Sequence, residues 1–283
     1  MIKFSGRNHS MLKKIAFIGS GELAESLLKG FLAKNFVSAD RVWMNNRSNK
    51  GRLNDLEKKY HVHITSDKKT AIEGAEAVIL AFRPGNTREA LEGIKGYLTV
   101  DQLVISLMVG VPSVFINKAV GKKLQIVRAM PNTSASIGLS ATGIAPGEFV
   151  SGKLLDTAVD MFETVGTATV VEEKEIDVIA GLSGSGPAYL YYLAEAMQRA
   201  GIREGISGEA ATRLVLQTLK GATQLLEQSG ESAEDLLKAV ATPSGTTQAG
   251  IDTLDRHNVR DAVADCVHQA IVRAEEMSAP FSE

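Results

Sequence analysis

The sequence has one cysteine, few aromatic side chains and no long apolar run, and each scarcity excludes a class of protein. Cys266 stands alone among 283 residues, which excludes an intrachain disulfide framework and a multi-cysteine metal site and favours a reducing cytoplasm. The longest unbroken apolar stretch, 77–82, is far shorter than the roughly 20 residues that a membrane-spanning helix needs. Residues 1–10 lack the apolar core of a secretory signal, and Met11 could initiate the chain as well as Met1.

Charge is nearly balanced over the whole chain, with a net charge of −2, but it is not balanced along the chain. Residues 1–171 carry 22 basic and 15 acidic side chains, and residues 172–283 carry 9 basic and 18 acidic ones. A basic first half suits a ligand with several phosphates, although a difference of solvated surface is the alternative. Because no dense basic run with interleaved aromatics is present, we predict no nucleic-acid partner.

The hydrophobic pattern changes near residue 170. Before it, short apolar and β-branched runs alternate with segments of helical period, which predicts a parallel sheet covered by helices. The predicted strands are 14–18, 41–44, 62–64, 77–82, 103–107, 125–128 and 168–171, and the predicted helices are 22–34, 50–60, 67–73 and 153–165. After residue 172 only helices are indicated. We therefore predict an α/β domain over 11–170 and an all-α domain over 171–283.

The second domain is predicted to consist of amphipathic helices. Ser207 can cap a helix with one apolar stripe, formed by Ala211, Leu214, Val215, Leu219, Ala222, Leu225 and Leu226. The last helix carries a similar stripe, formed by Ala262, Val263, Cys266, Val267, Ala270, Ile271 and Ala274. This pattern favours a core position for Cys266 over a reactive thiol. A helical domain with few aromatics often completes its core against another subunit, so a homodimer is expected.

A glycine-rich turn directly follows the first predicted strand. The residues from Gly19 to Ala24 form a G-x-G-x-x-A pattern at the start of an amphipathic helix. Gly19 permits a tight turn, Gly21 lets a pyrophosphate approach the backbone, and Ala24 lets helix and strand pack closely. The pattern in this place predicts a Rossmann-type, doubly wound parallel sheet that binds a dinucleotide; a purely structural glycine turn is the alternative.

The end of the second strand indicates which dinucleotide is bound. Enzymes that prefer NAD place a carboxylate there for the ribose hydroxyls, whereas this chain has Asn46, Arg47 and Ser48. The Arg47 guanidinium can bind a 2′-phosphate, and its neighbours supply neutral donors. We therefore predict NADPH in preference to NADH, with an ordinary exposed arginine as the alternative.

Two further strand ends should line the same cleft, because open parallel sheets bind ligands at the carboxyl ends of their strands. The residues concerned are Ala81, Phe82, Arg83 and Pro84 after the fourth strand and Leu107 and Met108 after the fifth. No metal site is predicted, since His61 and His63 on one strand face have no third ligand beside them.

Three later stretches are too specific for simple connections: 128–133 (RAMPNT), 181–189 (GLSGSGPAY) and 242–247 (TPSGTT). Together with the turn at Gly19, they resemble the pyrroline-5-carboxylate reductase family, in the same order and over nearly the whole chain, from Lys13 to Met277. The resemblance implies reduction of 1-pyrroline-5-carboxylate, a small cyclic imine carboxylate, to L-proline in proline biosynthesis. It also implies a helical second domain that dimerises and an active site between cofactor and helical domain.

The resemblance assigns site residues by position. It implies that the pyrophosphate is bound by Ile18, Gly19, Ser20, Gly21, Glu22 and Leu23, the 2′-phosphate by Asn46, Arg47 and Ser48, and the middle of the cofactor by Ala81, Phe82, Arg83 and Pro84. It implies that Met130, Pro131 and Asn132 lie near the nicotinamide. It implies that Ser183, Gly184, Ser185, Gly186, Gly245, Thr246 and Thr247 surround the substrate.

The residues of the two substrate loops suit that assignment. Gly184 and Gly186 stand in an otherwise helical segment, where each glycine costs about 1 kcal/mol, and this cost suggests a use. Residues 244–247 precede a helix whose free amides can bind a carboxylate; ordinary turn chemistry is the alternative for both loops. Proximity and orientation can supply much of the catalysis of hydride transfer, so we expect Thr247 only to orient or protonate the ring nitrogen.

Three positions depart from the family's usual pattern: Glu22 replaces an uncharged residue, Arg83 a lysine and Ser244 a glycine. Glu22 would repel a pyrophosphate if it faced inward, but facing outward it favours the positive end of the helix. Arg83 keeps the charge. Ser244 narrows the backbone freedom of the substrate loop and puts affinity or substrate range in question.

Three other functions compete with this interpretation. A β-hydroxyacid dehydrogenase would share the first domain, but it needs a lysine as proton acceptor in the helix that begins the second domain, and 183–198 contains none. A catalytically weak regulatory paralogue that binds a dinucleotide should have a degraded substrate loop, whereas 184–187 and 245–247 are intact. A reductase of another cyclic imine stays open.

Overall fold

The structure is a computed structural model of the chain, and it describes residues 12–82, 85 and 87–281. Four residues of the sequence analysis, Met1, Met11, Arg83 and Pro84, therefore lie outside the described residues. The described residues form two compact units: the first comprises those up to Ser185 together with those from Ala270 onward, and the second is Gly186–Gln269. The boundary expected from the sequence was residue 170.

The first unit is built on a sheet of eight strands within the described residues. They are β1 Ile15–Ile18, β2 Val42–Asn45, β3 His63–Thr65, β4 Ala77–Leu80, β5 Leu103–Ser106, β6 Gln125–Met130, β7 Ser140–Pro146 and β8 Gly166–Val170. The order is β3-β2-β1-β4-β5-β6-β7-β8. The strands pair in parallel, except that β7 runs antiparallel to β6. This order confirms the predicted doubly wound sheet, in which the chain reverses direction across the sheet at β1 and β4.

Helices cover both faces of the sheet: α1 Glu22–Ala33, α2 Lys50–Tyr60, α3 Lys68–Ile72, α4 Thr87–Glu92, α5 Ser113–Val120, α6 Gly152–Glu163 and α7 Ile176–Ile179. Strand β1 shows how the sheet is buried. Ile15 and Phe17 belong to one hydrophobic cluster, and Ala16 and Ile18 belong to a second one on the opposite face. All four are at most 4% exposed, because successive side chains of a strand point to opposite faces.

Strand β7 and helices α4 and α5 were not predicted from the sequence. The β7 sequence, SATGIAP, is rich in small residues and ends in proline, so it has little strand propensity of its own. It becomes a strand because β6 and β8 supply hydrogen-bonding partners on both sides. A Cβ at Gly143 would lie 2.7 Å from the Ile179 side chain, so glycine is what lets α7 pack on this strand.

The two histidines of the sequence analysis do not share a strand face. His61 ends α2 in a left-handed conformation, with φ of 57°, and β3 begins only at His63. The His63 ring instead stacks on Trp43 at 4.5 Å between centroids, and its Nε2 lies 3.0 Å from the Asp40 carbonyl oxygen. The His63 ring therefore has a local structural role, and His61 closes α2 through its backbone.

The end of the chain returns to the first unit. Phe281 is buried and packs edge-on against Phe115 at 4.9 Å between ring centroids. Arg88 on α4 donates to the Pro280 carbonyl oxygen at 2.9 Å. A Cβ at Gly110 would lie 2.8 Å from the Met277 carbonyl carbon, so the end of the last helix passes close to the loop after β5.

The second unit is helical, as predicted. It contains α8 Gly186–Arg203, α9 Gly208–Ser229, α10 Ala233–Val240, α11 Thr246–Arg256 and the first half of α12 Val259–Ser278. Ser207 caps α9 as expected, because its hydroxyl accepts a hydrogen bond from the Ala210 amide. Among the described residues, no helix is both long and apolar enough to span a membrane.

The apolar stripes of this unit remain largely uncovered in the single chain. On α9, Ala211 and Val215 are buried, whereas Leu214 and Leu225 are each more than half exposed. Cys266 on α12 is also exposed, so the predicted core position is wrong for the single chain. Helical spacing shows that a face is apolar, but it does not show whether the same chain or a second subunit covers it.

Candidate active site

The turn after β1 has a backbone that only glycine adopts easily. Gly19 has φ of 114°, and a Cβ there would collide with the carbonyl group of Ala81, whose carbon would lie 2.6 Å away. The Gly19 amide donates to the Asn45 carbonyl oxygen at 3.0 Å, which ties the turn to the end of β2. Gly19 is therefore required by the protein's own packing.

Gly21 differs, because nothing in the described residues requires it. Its φ of −71° suits any residue, and a Cβ there would meet no described atom within 4 Å. Gly21 precedes α1, whose first intrahelical backbone bond runs from the Glu25 amide to the Gly21 carbonyl oxygen. The amides before Glu25 are therefore free to bind an anion that approaches the bare backbone. This arrangement fits the pyrophosphate of a dinucleotide, and Glu22 is exposed at its edge.

Of the three residues predicted at the 2′-phosphate, Asn46 shapes the loop. Its side-chain amide donates to Ser20 Oγ at 2.8 Å, and its Oδ1 accepts from the amides of Ser48 at 3.1 Å and Asn49 at 2.9 Å. The loop that results leaves the Arg47 and Ser48 side chains exposed. The Arg47 Nη1 pairs with Glu89 Oε1 at 2.5 Å; both side chains are about two-thirds exposed, so the pair is weak and can open.

A cluster around Glu25, which was not predicted from the sequence, supports this loop. The Glu25 carboxylate pairs with Arg52 and accepts from Lys59 Nζ and Tyr60 Oη, each at 2.8 Å. Arg52 also donates from Nε to the Ser20 carbonyl oxygen at 3.1 Å. One signal was present: Arg52 and Lys59 lie seven residues apart, on one face of α2.

The surroundings hold the Glu25 carboxyl ionised. Burial raises its pKa, but the hydrogen bonds from Lys59, Tyr60 and Arg52 and the charge of Arg52 outweigh that effect. Together they lower the pKa from 4.5 to about 2. The network therefore keeps its charge at neutral pH, and with it the link from α2 to the Ser20 backbone.

This pKa predicts a pH dependence of stability. A carboxyl whose pKa is lowered on folding stabilises the native state above its unfolded value of 4.5, and this contribution disappears as the pH falls towards about 2. Urea unfolding at pH 7, 4.5 and 3 should show that the advantage of the wild type over Glu25→Gln shrinks, by about 1–2 kcal/mol after allowance for solvent screening. A difference that is constant with pH would contradict the role of Glu25.

The ends of β4 and β5 lie beside the glycine turn, as the strand order requires. Ala81 and Phe82 are half-buried, and Leu107 and Met108 are buried. The Thr87 hydroxyl of α4 donates to Met108 Sδ at 3.6 Å, which links the two strand ends. The predicted cofactor residues that the structure describes are thus gathered at one edge of the sheet.

The end of β6 contacts the first of the two predicted substrate stretches, within the same unit. Asn132 Nδ2 donates to the Ser183 carbonyl oxygen at 3.0 Å. Gly184 faces Met130, because a Cβ there would lie 3.6 Å from Met130 Cγ. The chain at Ala180–Gly184 forms a π-helical turn, closed by a bond from the Ser185 amide to the Ala180 carbonyl oxygen at 2.9 Å. Such turns inside helices are frequent at functional sites.

The remaining predicted substrate residues lie in the second unit. The amides of Thr246, Thr247 and Gln248 precede the first intrahelical bond of α11, which runs from Ala249 to the Gly245 carbonyl oxygen. They can bind a carboxylate. A Cβ at Gly245 would lie 2.7 Å from Thr242 Oγ1, so this glycine is needed for the turn.

Ser244 has a left-handed backbone, with φ of 62°, which explains why glycine is usual there. The left-handed region costs a non-glycine residue roughly 1–2 kcal/mol. Ser244→Gly should therefore raise the free energy of unfolding, by about 0.5–1 kcal/mol once the extra freedom of the unfolded glycine is counted. Chemical denaturation beside Ser232→Gly, which removes an ordinary helix cap, checks this: the cap variant should lose stability.

Two protein families match this chain, one over part of the sheet-containing region and the other over the helical region that follows it. A profile described as NADP oxidoreductase, coenzyme F420-dependent, matches residues 14–110. A profile of pyrroline-5-carboxylate reductase dimerisation matches residues 173–277. Pyrroline-5-carboxylate reductase 2 of Bacillus subtilis is 38% identical over 271 residues, which is 96% of this chain and 97% of that protein. The chain belongs to the pyrroline-5-carboxylate reductase family. This finding confirms the resemblance that the sequence motifs indicated.

Solved structures of pyrroline-5-carboxylate reductases have the same fold. The enzyme from Coxiella burnetii is 36% identical, with a TM-score of 0.86 over 94% of this chain and 98% of its own. The Plasmodium falciparum pyrroline carboxylate reductase, solved with NADP bound, is 26% identical, with a TM-score of 0.86 over the same shares. This chain is thus an oxidoreductase of an NADP-dependent family. The region that matches the dimerisation family, residues 173–277, includes α8 and α9, which have exposed apolar side chains in the single chain.

Proposed function

We propose that this protein reduces 1-pyrroline-5-carboxylate to L-proline, with NADPH as the hydride donor, in proline biosynthesis. The observation that carries the proposal is the arrangement at one edge of the sheet. There the bare backbone of Gly21 and the free amides of α1 suit a dinucleotide, and Met130 and Asn132 contact the Ser183–Gly184 turn. Relatives that carry this enzyme's name are similar over nearly the whole chain.

We propose that NADPH is preferred to NADH because of the charges at the end of β2. Residues 45–49 contain no carboxylate that would bind the ribose hydroxyls of NAD or repel a 2′-phosphate. Arg47 is exposed, and its weak pair with Glu89 engages only Nη1, which leaves the rest of the guanidinium for a phosphate. The cofactor would supply a hydride.

We propose that the substrate is bound by its carboxylate and its ring nitrogen. The free amides at the start of α11 would bind the carboxylate, and the Thr247 hydroxyl would hold the nitrogen or pass on to it a proton from water. The backbone of the Ser183–Gly184 turn would shape the space beside the nicotinamide. Because holding two reactants in the right orientation supplies much of the barrier lowering, a strong general base is unnecessary.

We also propose a homodimer or a higher assembly in the cytoplasm. Leu214 and Leu225 on α9 and Tyr191 and Tyr192 on α8 are exposed in the single chain, within the region that matches the dimerisation family. Burial of these side chains against a second copy would be favourable by about 25 cal/mol per Å². A reducing compartment would keep the exposed Cys266 as a thiol.

The test is cofactor oxidation by the purified protein, followed by the absorbance of the reduced nicotinamide. The substrates are 1-pyrroline-5-carboxylate and its six-membered ring analogue, each with NADPH and with NADH. Fast turnover of the five-membered ring with NADPH supports the proposal. Preference for the six-membered ring would instead indicate another imine reductase. NADPH binding without turnover of either ring would favour a regulatory paralogue.

A variant of Arg47 tests the cofactor preference. Arg47→Ala should raise the KM for NADPH about tenfold, since an exposed charge-assisted contact contributes about 1.5 kcal/mol, and should leave the KM for NADH nearly unchanged. Steady-state kinetics with both cofactors measure this. Lys50→Ala, which removes an exposed charge three residues away, is the matched control. Equal losses with NADPH and NADH would refute a 2′-phosphate contact.

A further inference from the structure

Arg128 is a buried cation that the proposed chemistry does not use. It lies in β6, two residues before Met130, and its side chain is 4% exposed. Burial of a guanidinium is costly unless it is fully paired, and an apolar side chain at the same place would often be more stable. The presence of a buried arginine at this position is therefore not explained by stability alone.

The pairing of Arg128 is incomplete within the described residues. Nη1 lies 3.7 Å from Glu173 Oε1, and Nη2 lies 3.5 Å from Asp177 Oδ1, both long for an ion pair. Nε has no hydrogen-bond partner in the described part of the chain. The guanidinium is therefore held between two carboxylates without a close bond to either.

Each carboxylate is fixed from its other side. The oxygens of Glu173 accept from the Ser113 amide and from its hydroxyl, both at 2.6 Å, at the start of α5. Asp177 Oδ2 accepts from the Ser278 hydroxyl at 3.1 Å, at the end of α12. The two acids thus join Arg128 to two neighbouring helices, α5 and α12, and both acids lie in the segment that leads into the π-helical turn.

This segment reaches the substrate turn within a few residues. Asp177 stands three residues before Ala180, where the π-helical turn begins. Met130 and Ala180 pack in one hydrophobic cluster with Ile176. Arg128 and Met130 point to the same face of β6, since side chains alternate along a strand. Residues 173–185 therefore contact β6 at two places: the acids Glu173 and Asp177 lie beside Arg128, and the π-helical turn lies beside Met130.

We propose that Arg128 is a positioning residue, whose buried guanidinium holds residues 173–185 against β6 and so sets Ser183 and Gly184 relative to Met130. Hydrophobic contacts alone would let this segment shift along the strand, because they have little directionality. Two carboxylates around one planar cation define a direction. The expected effect on imine reduction rests on the proposed function. The expected effect on the position of Ser183 and Gly184 does not.

The first experiment needs no activity. Arg128→Lys keeps the charge but loses the planar fork, and hydrogen exchange is measured on the intact protein. The amides around residues 183–185 should exchange about tenfold faster, while those of β1 and α1 stay unchanged, because only the local opening becomes easier. Unchanged exchange around 183–185, or faster exchange throughout the chain, would overturn the proposal.

The second experiment separates positioning from stability. Arg128→Met leaves two partly buried carboxylates without the cation between them and should unfold more easily, so it is combined with Glu173→Gln and Asp177→Asn, which remove the charges. This triple variant should regain wild-type stability in urea. It should still show a KM for the imine raised about tenfold, since misplacement of the substrate turn by a fraction of an ångström is costly.

Two comparisons complete this test. The KM for NADPH should stay within about twofold of the wild type, because most cofactor contacts are proposed at β1 and β2. Ile94→Ala, a buried change in the hydrophobic cluster that contains Ala16 and Ile18, should lower stability without changing the KM for the imine. If the triple variant regains both stability and the wild-type KM, Arg128 has only a structural role. If the wild type itself reduces no imine, the proposed function fails, and the exchange result still decides the structural part.

Discussion

The Gly21→Ala variant is expected to fold normally and to lose its affinity for NADPH about a hundredfold. A methyl group at this position meets no described atom of the protein within 4 Å, and the backbone φ of −71° suits alanine. The same methyl group would stand over the free amides of α1, where the pyrophosphate is proposed to bind. Loss of one or two charge-assisted hydrogen bonds, each contributing about 1.5–3 kcal/mol, gives an effect of this size.

Two other glycines serve as controls for this result. Gly19→Ala should lose stability as well as cofactor affinity, because its φ is 114° and its methyl group would collide with the Ala81 carbonyl. Gly152→Ala, at the start of α6, also places a methyl group in open space, and it should change neither property. Urea unfolding and fluorescence titration with NADPH measure both quantities. Wild-type NADPH affinity in Gly21→Ala would show that the cofactor does not bind at this turn.

The Thr247→Ala variant is expected to turn over about a hundredfold more slowly, with NADPH affinity unchanged. Proton transfer by a positioned side chain contributes about 10²–10⁴-fold, and a hydroxyl that only orients a group lies at the lower end of that range. Thr247 stands in the first turn of α11, next to the amides proposed to bind the substrate carboxylate. The loss should therefore appear in kcat, while the dissociation constant of NADPH stays the same.

Thr253→Ala is the matched control, since it removes a threonine hydroxyl from the same helix, where that hydroxyl bonds to the Ala249 carbonyl oxygen. It should retain full turnover. Thr247→Ser keeps the hydroxyl and should recover most of the lost rate, whereas Thr247→Val keeps the shape and should not. If Thr247→Ala turns over at the wild-type rate, the ring nitrogen obtains its proton elsewhere, and the assignment of Thr247 fails.

The exposed stripe of α9 and the exposed Cys266 share one explanation. Both belong to apolar helical faces that the single chain leaves open, in the region that matches the dimerisation family. The periodicity of these helices predicts the apolar faces and a second subunit to cover them, but it does not show that Cys266 is exposed until that subunit binds. Solvent exposure of the Cys266 thiol in the assembled protein therefore depends on the assembly.

Much of the cofactor site could be predicted from the sequence because its determinants are local. The turn at Gly19 and Gly21 needs its glycines for backbone angles and close approach, and these requirements concern neighbouring residues. The strands before and after it are continuous apolar runs, as a sheet buried on both faces requires. The alternation of these runs with helical segments predicts the doubly wound class of the sheet.

The rest depended on contacts between residues far apart in the sequence. Strand β7 has weak propensity and exists because β6 and β8 pair with it. The Glu25–Arg52 pair, the contact of Asn132 with Ser183 and the burial of Arg128 between two acids each join residues at least 27 positions apart. The sequence by itself determined which turns and helices can form, because those depend on short-range sterics and hydrogen bonding. Only the tertiary structure decided which charges are buried and paired, because burial and pairing depend on groups brought together when the whole chain folds.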